Sequence, residues 1–362
     1  MASMNINLES VSLTLFYFFG AVPVDWMEYL IAQLALEPQP EVTNVWRNAR
    51  HSQFLNMEQT DEQDITLVRL MLTLAAPDSL KCWRQLSHEI FLQHERLWRQ
   101  APELNFLGCS LVYHGIHQEP APVRAEEWLK DVPVREALSW PQVAHLRCGE
   151  LWQVQAVAEQ QMSEIIYGLL VTQEQAEVVR HQLLYHPAFW QAEAIRHQTN
   201  HVWKSWQANE TTRRETNHRL RELFRLLLSA RPDTSLRELG ILYAVFQSHV
   251  TKLHDLHQQI IDASQIYQEL STVLWLPSTT NDVRDEVLVW FAQLRQQLLI
   301  EERIISVMDE QIGNSLQYQQ TVLAIRRQQY FSNFLGWLTW VFGFGILTWG
   351  IRQYHKLLAL SK

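Results

Sequence analysis

Residues Phe334 to Ile351 read FLGWLTWVFGFGILTWGI, eighteen positions without a charge. As a helix rising about 1.5 Å per residue the run is roughly 27 Å long, close to the ~30 Å hydrocarbon core of a bilayer. Arg326 and Arg327 precede it, and Arg352, His355 and Lys356 follow it. Tyr330, Phe331, Phe334 and Trp337 crowd one boundary, and Trp349 with Tyr354 the other. Amphipathic rings and cations of this kind belong at headgroup level. A surface-lying helix needs a polar face, and this run has none. The expectation is one transmembrane helix over residues 330–352 and a short basic tail over 353–362.

Charge is distributed to match. The 362-residue chain carries a formal charge of −9, but no acidic residue follows Glu310. Arg326, Arg327, Arg352, Lys356 and Lys362 give that last part +5, so the preceding part carries −14, the difference of −9 and +5. A basic collar suits an anionic membrane surface. The acidic remainder argues against nucleic acid as a partner, because phosphate binding needs clustered cations. Three cysteines, Cys82, Cys109 and Cys148, lie far apart without CxxC spacing, which fits a reducing compartment. Val11 to Val24 is apolar enough to suggest a signal peptide, yet MASMNINLES before it has no cation and contains Glu9. Val11, Leu13, Leu15, Tyr17 and Phe19 alternate as in a strand instead. The bulk of the chain is therefore expected in the cytoplasm, with a single pass inserted last.

The remaining sequence divides by pattern into an α+β layout. Residues 1–155 read as an α/β cytosolic domain with strands at Ser10–Gly20, Ile65–Ala75, Leu104–Tyr113 and Val143–Gln155. Asp78 can cap a helix running to about Gln100, and a short helix fits near Arg124 to Lys130. Residues 156–329 read as a long-helix bundle and stalk, in zones from Thr172 to about Ala230, from Ser235 to Trp275, and from Asp282 onward. Breaks near Pro187, Pro232 and Pro277 separate the elements. In the last zone Val287, Phe291, Leu294, Leu298, Glu301, Ile305, Met308 and Ile312 follow alternating four-three spacing, apolar at all but one place. That is the seam of a coiled coil or of a packed bundle.

Motifs for chemistry are scarce. The seven glycines before the apolar run form no GxGxxG or GxxxxGK[ST] loop, and there is no GxSxG or HExxH. No cofactor is implied, and the chain reads as non-enzymatic. Glu193, His197 and His201, four apart on a predicted helix, could offer ligands to one metal ion, but the same spacing describes a polar helix face. His254 and His257 form a second such pair. Arg213, Arg214, Arg219, Arg221, Arg225 and Arg231 are interleaved with Glu215 and Glu222, which fits a solvated charged face or a docking patch. Within the apolar run Gly336, Gly343 and Gly350 recur every seven residues on one helix face. Small residues let helix backbones approach closely in lipid, so the pattern points to a homo-oligomer or to another membrane subunit.

The order of sheet-containing amino-terminal part, long helices and stalk helix entering the membrane resembles the CorA-like magnesium transporter layout. That family has two spans and a Gly-Met-Asn signature between them; this chain has one span and no such tripeptide, so no ion-selecting residue is carried over. The size and single span resemble more the CorA-like components of bacterial conflict (defence) systems of the caspase/TPR-repeat-associated (CATRA) type. That resemblance implies a tail-anchored component that meets a cytosolic protein partner or a signal and acts at the bilayer. An oligomeric CorA-related ion pathway is the alternative, and a membrane-tethered enzyme with an unrecognised site is a second.

Overall fold

The computed structural model describes residues 8–20, 24–39, 45–48, 53–60, 65–75, 80–84, 86–88, 105–118, 124–134, 142–146, 149–159, 162–179, 181, 183, 186–229, 232–275 and 283–360. The architecture is mixed α and β, a sheet followed by long helices. The described strands are β1 (Leu8–Phe19), β2 (Glu37–Pro38), β3 (Val45–Asn48), β4 (Gln53–Thr60), β5 (Ile65–Ala75), β6 (Phe106–His117), β7 (Gln142–Leu146), β8 (Gly149–Glu159) and β9 (Met162–Thr172). They form one sheet in the order β2-β3-β4-β5-β1-β6-β9-β8-β7. Neighbours are antiparallel except β6 and β9, which run parallel.

Strand β1 explains the layering. Its alternating Val11, Leu13, Leu15, Tyr17 and Phe19 bury one face of the sheet against α1 (Val24–Gln33) and the helical residues around Trp83. Phe16 and Phe18 point the other way, with Phe16 set edge-on to Phe189 at 5.6 Å. A strand buried on both faces must read as a nearly continuous apolar run, and LTLFYFF does. Helix α2 (Ala125–Trp128) lays Trp128 on the first face, where Gly168 of β9 leaves room for its ring.

The strand pattern does not end at residue 155. The expected single strand Val143–Gln155 is the hairpin β7–β8, and β9 follows it as a central strand beside β6. The sheet therefore extends to Thr172, and a boundary at 155 would cut through β8. Tyr167 and Ile165 face the helices while Ile166 faces α1's side, so β9 too is buried on both faces. The expected helix from Asp78 is helical at residues 82–84 and 86–88, and its remainder, with Cys148, lies outside the described residues.

The helices follow: α3 (Gln173–Val179), α4 (Pro187–Ala208), α5 (Glu210–Ser229), α6 (Pro232–Leu274) and α7 (Val283–Leu360). Pro187 occupies the first turn of α4, where its missing N–H costs nothing, and His186 Nδ1 accepts from the Ala188 N–H at 3.1 Å. Helix α4 lies on the sheet and under α6, which is why Phe189, Ala192, Ile195, Trp203 and Trp206 are buried around much of its circumference. Helix α6 packs on α4, α5 and α7.

The seven apolar positions of the four-three series, from Val287 to Ile312, are all buried in this core. The exception, Glu301, accepts from Trp206 Nε1 at 3.2 Å and lies 3.9 Å from Arg213, whose guanidinium covers the Trp206 ring at 3.6 Å. The seam is thus intramolecular. Phe291→Ala is expected to lower unfolding free energy by about 3–5 kcal/mol, through lost burial and a cavity. Val273→Ala, half exposed on α6, is expected to change it by under ~0.5 kcal/mol in the same urea titration.

Candidate functional site

Helix α7 leaves the bundle and continues as a single helix. Its last fully buried seam residue is Ile312, and Phe334 begins the apolar run about 33 Å further along the axis. Among the described residues this is the one helix long and apolar enough to cross a membrane, with a mean hydropathy of 1.5 and none of that window buried. Tyr330, Phe331, Trp337, Trp340, Phe342 and Trp349 are all more than half exposed, a surface far larger than the apolar patches of water-soluble monomers. Arg326, Arg327 and Arg352 are exposed at its ends, and the helix continues through Lys356. From Arg327 to Arg352 is about 37 Å of helix, enough to place both cation groups in opposite headgroup layers. Thr339 and Thr348 turn their hydroxyls onto the helix carbonyls of Leu335 (2.7 Å) and Phe344 (2.9 Å), which removes them as free polar groups. Open space faces Gly336, Gly343 and Gly350.

The expected metal ligands meet a different fate. Glu193 and His197 turn from α4 into the sheet and are buried, while His201, one turn further, is half-buried. Ser110 of β6 donates to Glu193 Oε2 at 2.5 Å, and its oxygen lies 2.8 Å from His197 Nε2. With its only proton on Glu193, Ser110 must accept from Nε2–H. His197 Nδ1 is then the acceptor for the Ser163 hydroxyl of β9. Tyr167 donates to Glu193 Oε1 at 2.8 Å and accepts from Arg196 at 3.2 Å, while Arg196 also reaches Gln153 Oε1 at 3.0 Å. Both ring nitrogens and both carboxylate oxygens are therefore occupied by hydroxyls. Among the described residues no group of three or more His, Cys, Asp or Glu side chains is placed to hold a metal ion. His254 and His257 instead both face Glu302 of α7, at 3.9 and 2.9 Å, and tie α6 to α7.

Electrostatics agree with a closed network. Burial pushes the His197 imidazole well below its ordinary value, and neighbouring Arg196 acts in the same direction, so it is neutral at pH 7. Burial and then Glu193 raise the Tyr167 phenol well above its ordinary value, which keeps it a donor. Burial opposes the charge on Arg196, but Tyr167 and Glu193 outweigh it. Gly108 makes the close approach possible. Its φ is +152°, and a Cβ there would collide with His197 Nδ1 and the Ser163 carbonyl. Sequence spacing found Glu193 and His197; Ser110, Ser163 and Tyr167 were hidden because they come from strands 26 to 87 positions away.

A cavity of about 300 Å³ adjoins this network, between β7–β9, α4 and the first turns of α7. Ser163, Arg196, Gln153, Asn200, Glu286 and Trp290 line it. The arginine-rich face of α5 is only partly committed: Arg213 is buried on Trp206, Arg214 pairs with Glu210, and Arg221 reaches Met308 Sδ at 3.3 Å. Arg219 and Arg225 are exposed, and Arg231 lies outside the described residues. No family model, no curated protein and no solved structure matches this chain.

Two outcomes follow for the network. The unfolded imidazole, near its ordinary 6.5, takes a proton before the folded one does. Stability is therefore lost as pH falls below about 6.5, with a slope from this group of up to about 1.4 kcal/mol per pH unit. His249, also held low chiefly by burial, adds to the same trend. Urea unfolding at pH 7.5, 6.5 and 5.5 should show the slope, and His197→Gln should reduce it by close to one proton. Gly108→Ala should cost more than about 2 kcal/mol at pH 7.5, since both the backbone and the His197 ring must shift.

Proposed function

We propose that this protein is a tail-anchored, single-pass membrane component whose sheet and helical bundle stay on the cytoplasmic side and meet a protein partner or signal there. The reading is carried by one observation: the apolar run of α7 stands clear of the bundle, exposed on every side and bounded by cations and aromatic rings. Apolar surface of that extent needs lipid or another helix to cover it. Because α7 is one helix from Val283 to Leu360, its bundle-packed part and its apolar run belong to one continuous element. Displacement at its root, where Glu286 and Trp290 wall the cavity, is mechanically connected to the membrane.

The role is non-enzymatic in this reading. The Glu193–Ser110–His197 cluster has Ser110 fully buried and its proton already committed to Glu193, so a substrate would have to part the sheet from α4 to reach it. The membrane-acting role in bacterial defence rests on the CorA-like, single-span layout. Satisfied threonine hydroxyls in the run favour anchoring or bilayer perturbation over a polar ion path.

The full chain expressed in cells should pellet with membranes and resist alkaline carbonate. Placing arginine at Val341 and Ile346 together should release it, since each buried arginine costs about 2.5–3.5 kcal/mol on insertion scales. Wild-type protein found in the supernatant with membranes present would end the proposal.

A further inference from the structure

Helix α7 has a second apolar stripe, which the intramolecular seam leaves uncovered. Val289, Ile300, Ile304, Val307 and Ile325 are each about half exposed, although most of them lie in the water-exposed part of the chain. At about 100° per residue all five fall within roughly 20–40° of one line along the helix, and the buried seam is centred about 135° away. Continued into the apolar run, the same line passes through Gly336, Gly343 and Gly350 to within about 40°. Two features that look unrelated in sequence share one face of one helix.

The geometry points to a second copy of this chain as the occupant of that face: a parallel homo-oligomer joined along α7 from the bundle into the bilayer. Three properties of the stripe select a copy over an unrelated partner. First, eight charged residues occur between Val289 and Gly350, and all of them lie outside the roughly 40° sector. Second, the polar residues within the sector near the bundle are Gln293, Gln296, Gln311 and Asn314. A carboxamide offers both donor and acceptor, so it pairs with its own copy across a two-fold axis, which a charged side chain cannot do. Third, a partner must be apolar at this spacing in water and accept glycine contacts at the same phase in lipid; α7 itself meets both conditions.

Room exists for the contact. An open groove of about 950 Å³ runs between α6 and α7, lined by Leu253, Gln296, Ile300, Arg303 and Ile304 among others. At the glycines nothing beyond the helix's own nearby backbone lies within 4 Å of an added Cβ, so a second backbone can approach there. The orientation alone rests on the membrane reading, since copies anchored in one bilayer by the same end must be parallel.

Cysteine cross-linking of the full chain in native membranes tests it. Ile304→Cys and Val307→Cys should each oxidise to a covalent dimer of twice the chain mass. Arg295→Cys, exposed roughly 135° away and outside the groove, should give no more than the wild-type background set by the native cysteines. Ile304→Glu with Val307→Glu should reduce the mass in mild detergent to that of one chain with unchanged helical circular dichroism, because both positions are exposed in the single chain. Equal cross-linking on all faces, no cross-linking above background, or a wild-type chain of single mass would overturn the seam. Carbonate extraction separates the two proposals: a monomer that stays in the membrane removes the seam alone, and a face-specific dimer in the supernatant removes the anchor alone.

Discussion

The burial of a single face of α7, from Val287 to Ile312, is the contact on which the other parts depend. That face fixes α7 against α6 and the Trp206–Arg213 corner, so the direction in which the helix leaves the bundle is set by packing. The polar ties are arranged along the same contact: Tyr243 donates to Asp309 at 2.8 Å, and His257 lies 2.9 Å from Glu302. Each is partly exposed and adds little alone. They act as register marks beside an apolar seam that supplies most of the free energy, and one-turn slippage would separate all of them together.

A continuous helix has a consequence for where flexibility can sit. No proline occurs in α7, and Gly313, the only glycine of α7 that precedes the apolar run, lies close to Tyr243, whose hydroxyl is 3.5 Å from where its Cβ would be. Kinks in long helices arise at proline, at glycine and serine pairs or at bulges. Between Ile312 and Phe334 only Gly313 with nearby Ser315 is of this kind, and the helix runs through it unbroken, a rod of roughly 33 Å from bundle to apolar run. Within the stretch SLQYQQ, Leu316 still packs against the bundle core, while Gln317 and Tyr318 are exposed and the backbone is satisfied within the helix.

How much of this was legible in sequence varied with how local the signal was. The α7 seam and β5 were readable because their periodicity is long and unbroken: 287 to 312 by fours and threes, and Ile65–Ala75 as one apolar run. Strand β9 was not, although IIYGLLV is as apolar as β1, because the glutamine-rich sequence before it and Gln173 onward resemble the helical composition beyond. Strands β3 and β4 were also missed. VWRN and QFLNMEQT are short or mixed in polarity along the sequence, and their pairing with each other and with β5 is what marks them as strands. The Glu193–His197 spacing was visible, but its meaning depended on Ser110, Ser163 and Tyr167, which only parallel pairing of β6 with β9 brings beneath α4.

That network also clarifies why a polar cluster belongs at the junction of sheet and bundle. An apolar contact between α4 and the sheet would tolerate sliding by one helical turn, because alanine, isoleucine and phenylalanine pack in many registers. Glu193 and His197 do not: displaced by a turn, a carboxylate and an imidazole would be buried without partners, at several kcal/mol. Gly108 permits only one close approach, and stacking of His197 on Phe18 at 5.0 Å fixes the ring plane. The cluster thus supplies position where the hydrophobic core supplies stability. Since α4 carries Trp206, and Trp206 meets Glu301 of α7, the orientation of the rod is referred back to the centre of the sheet through an unbroken chain of specific contacts.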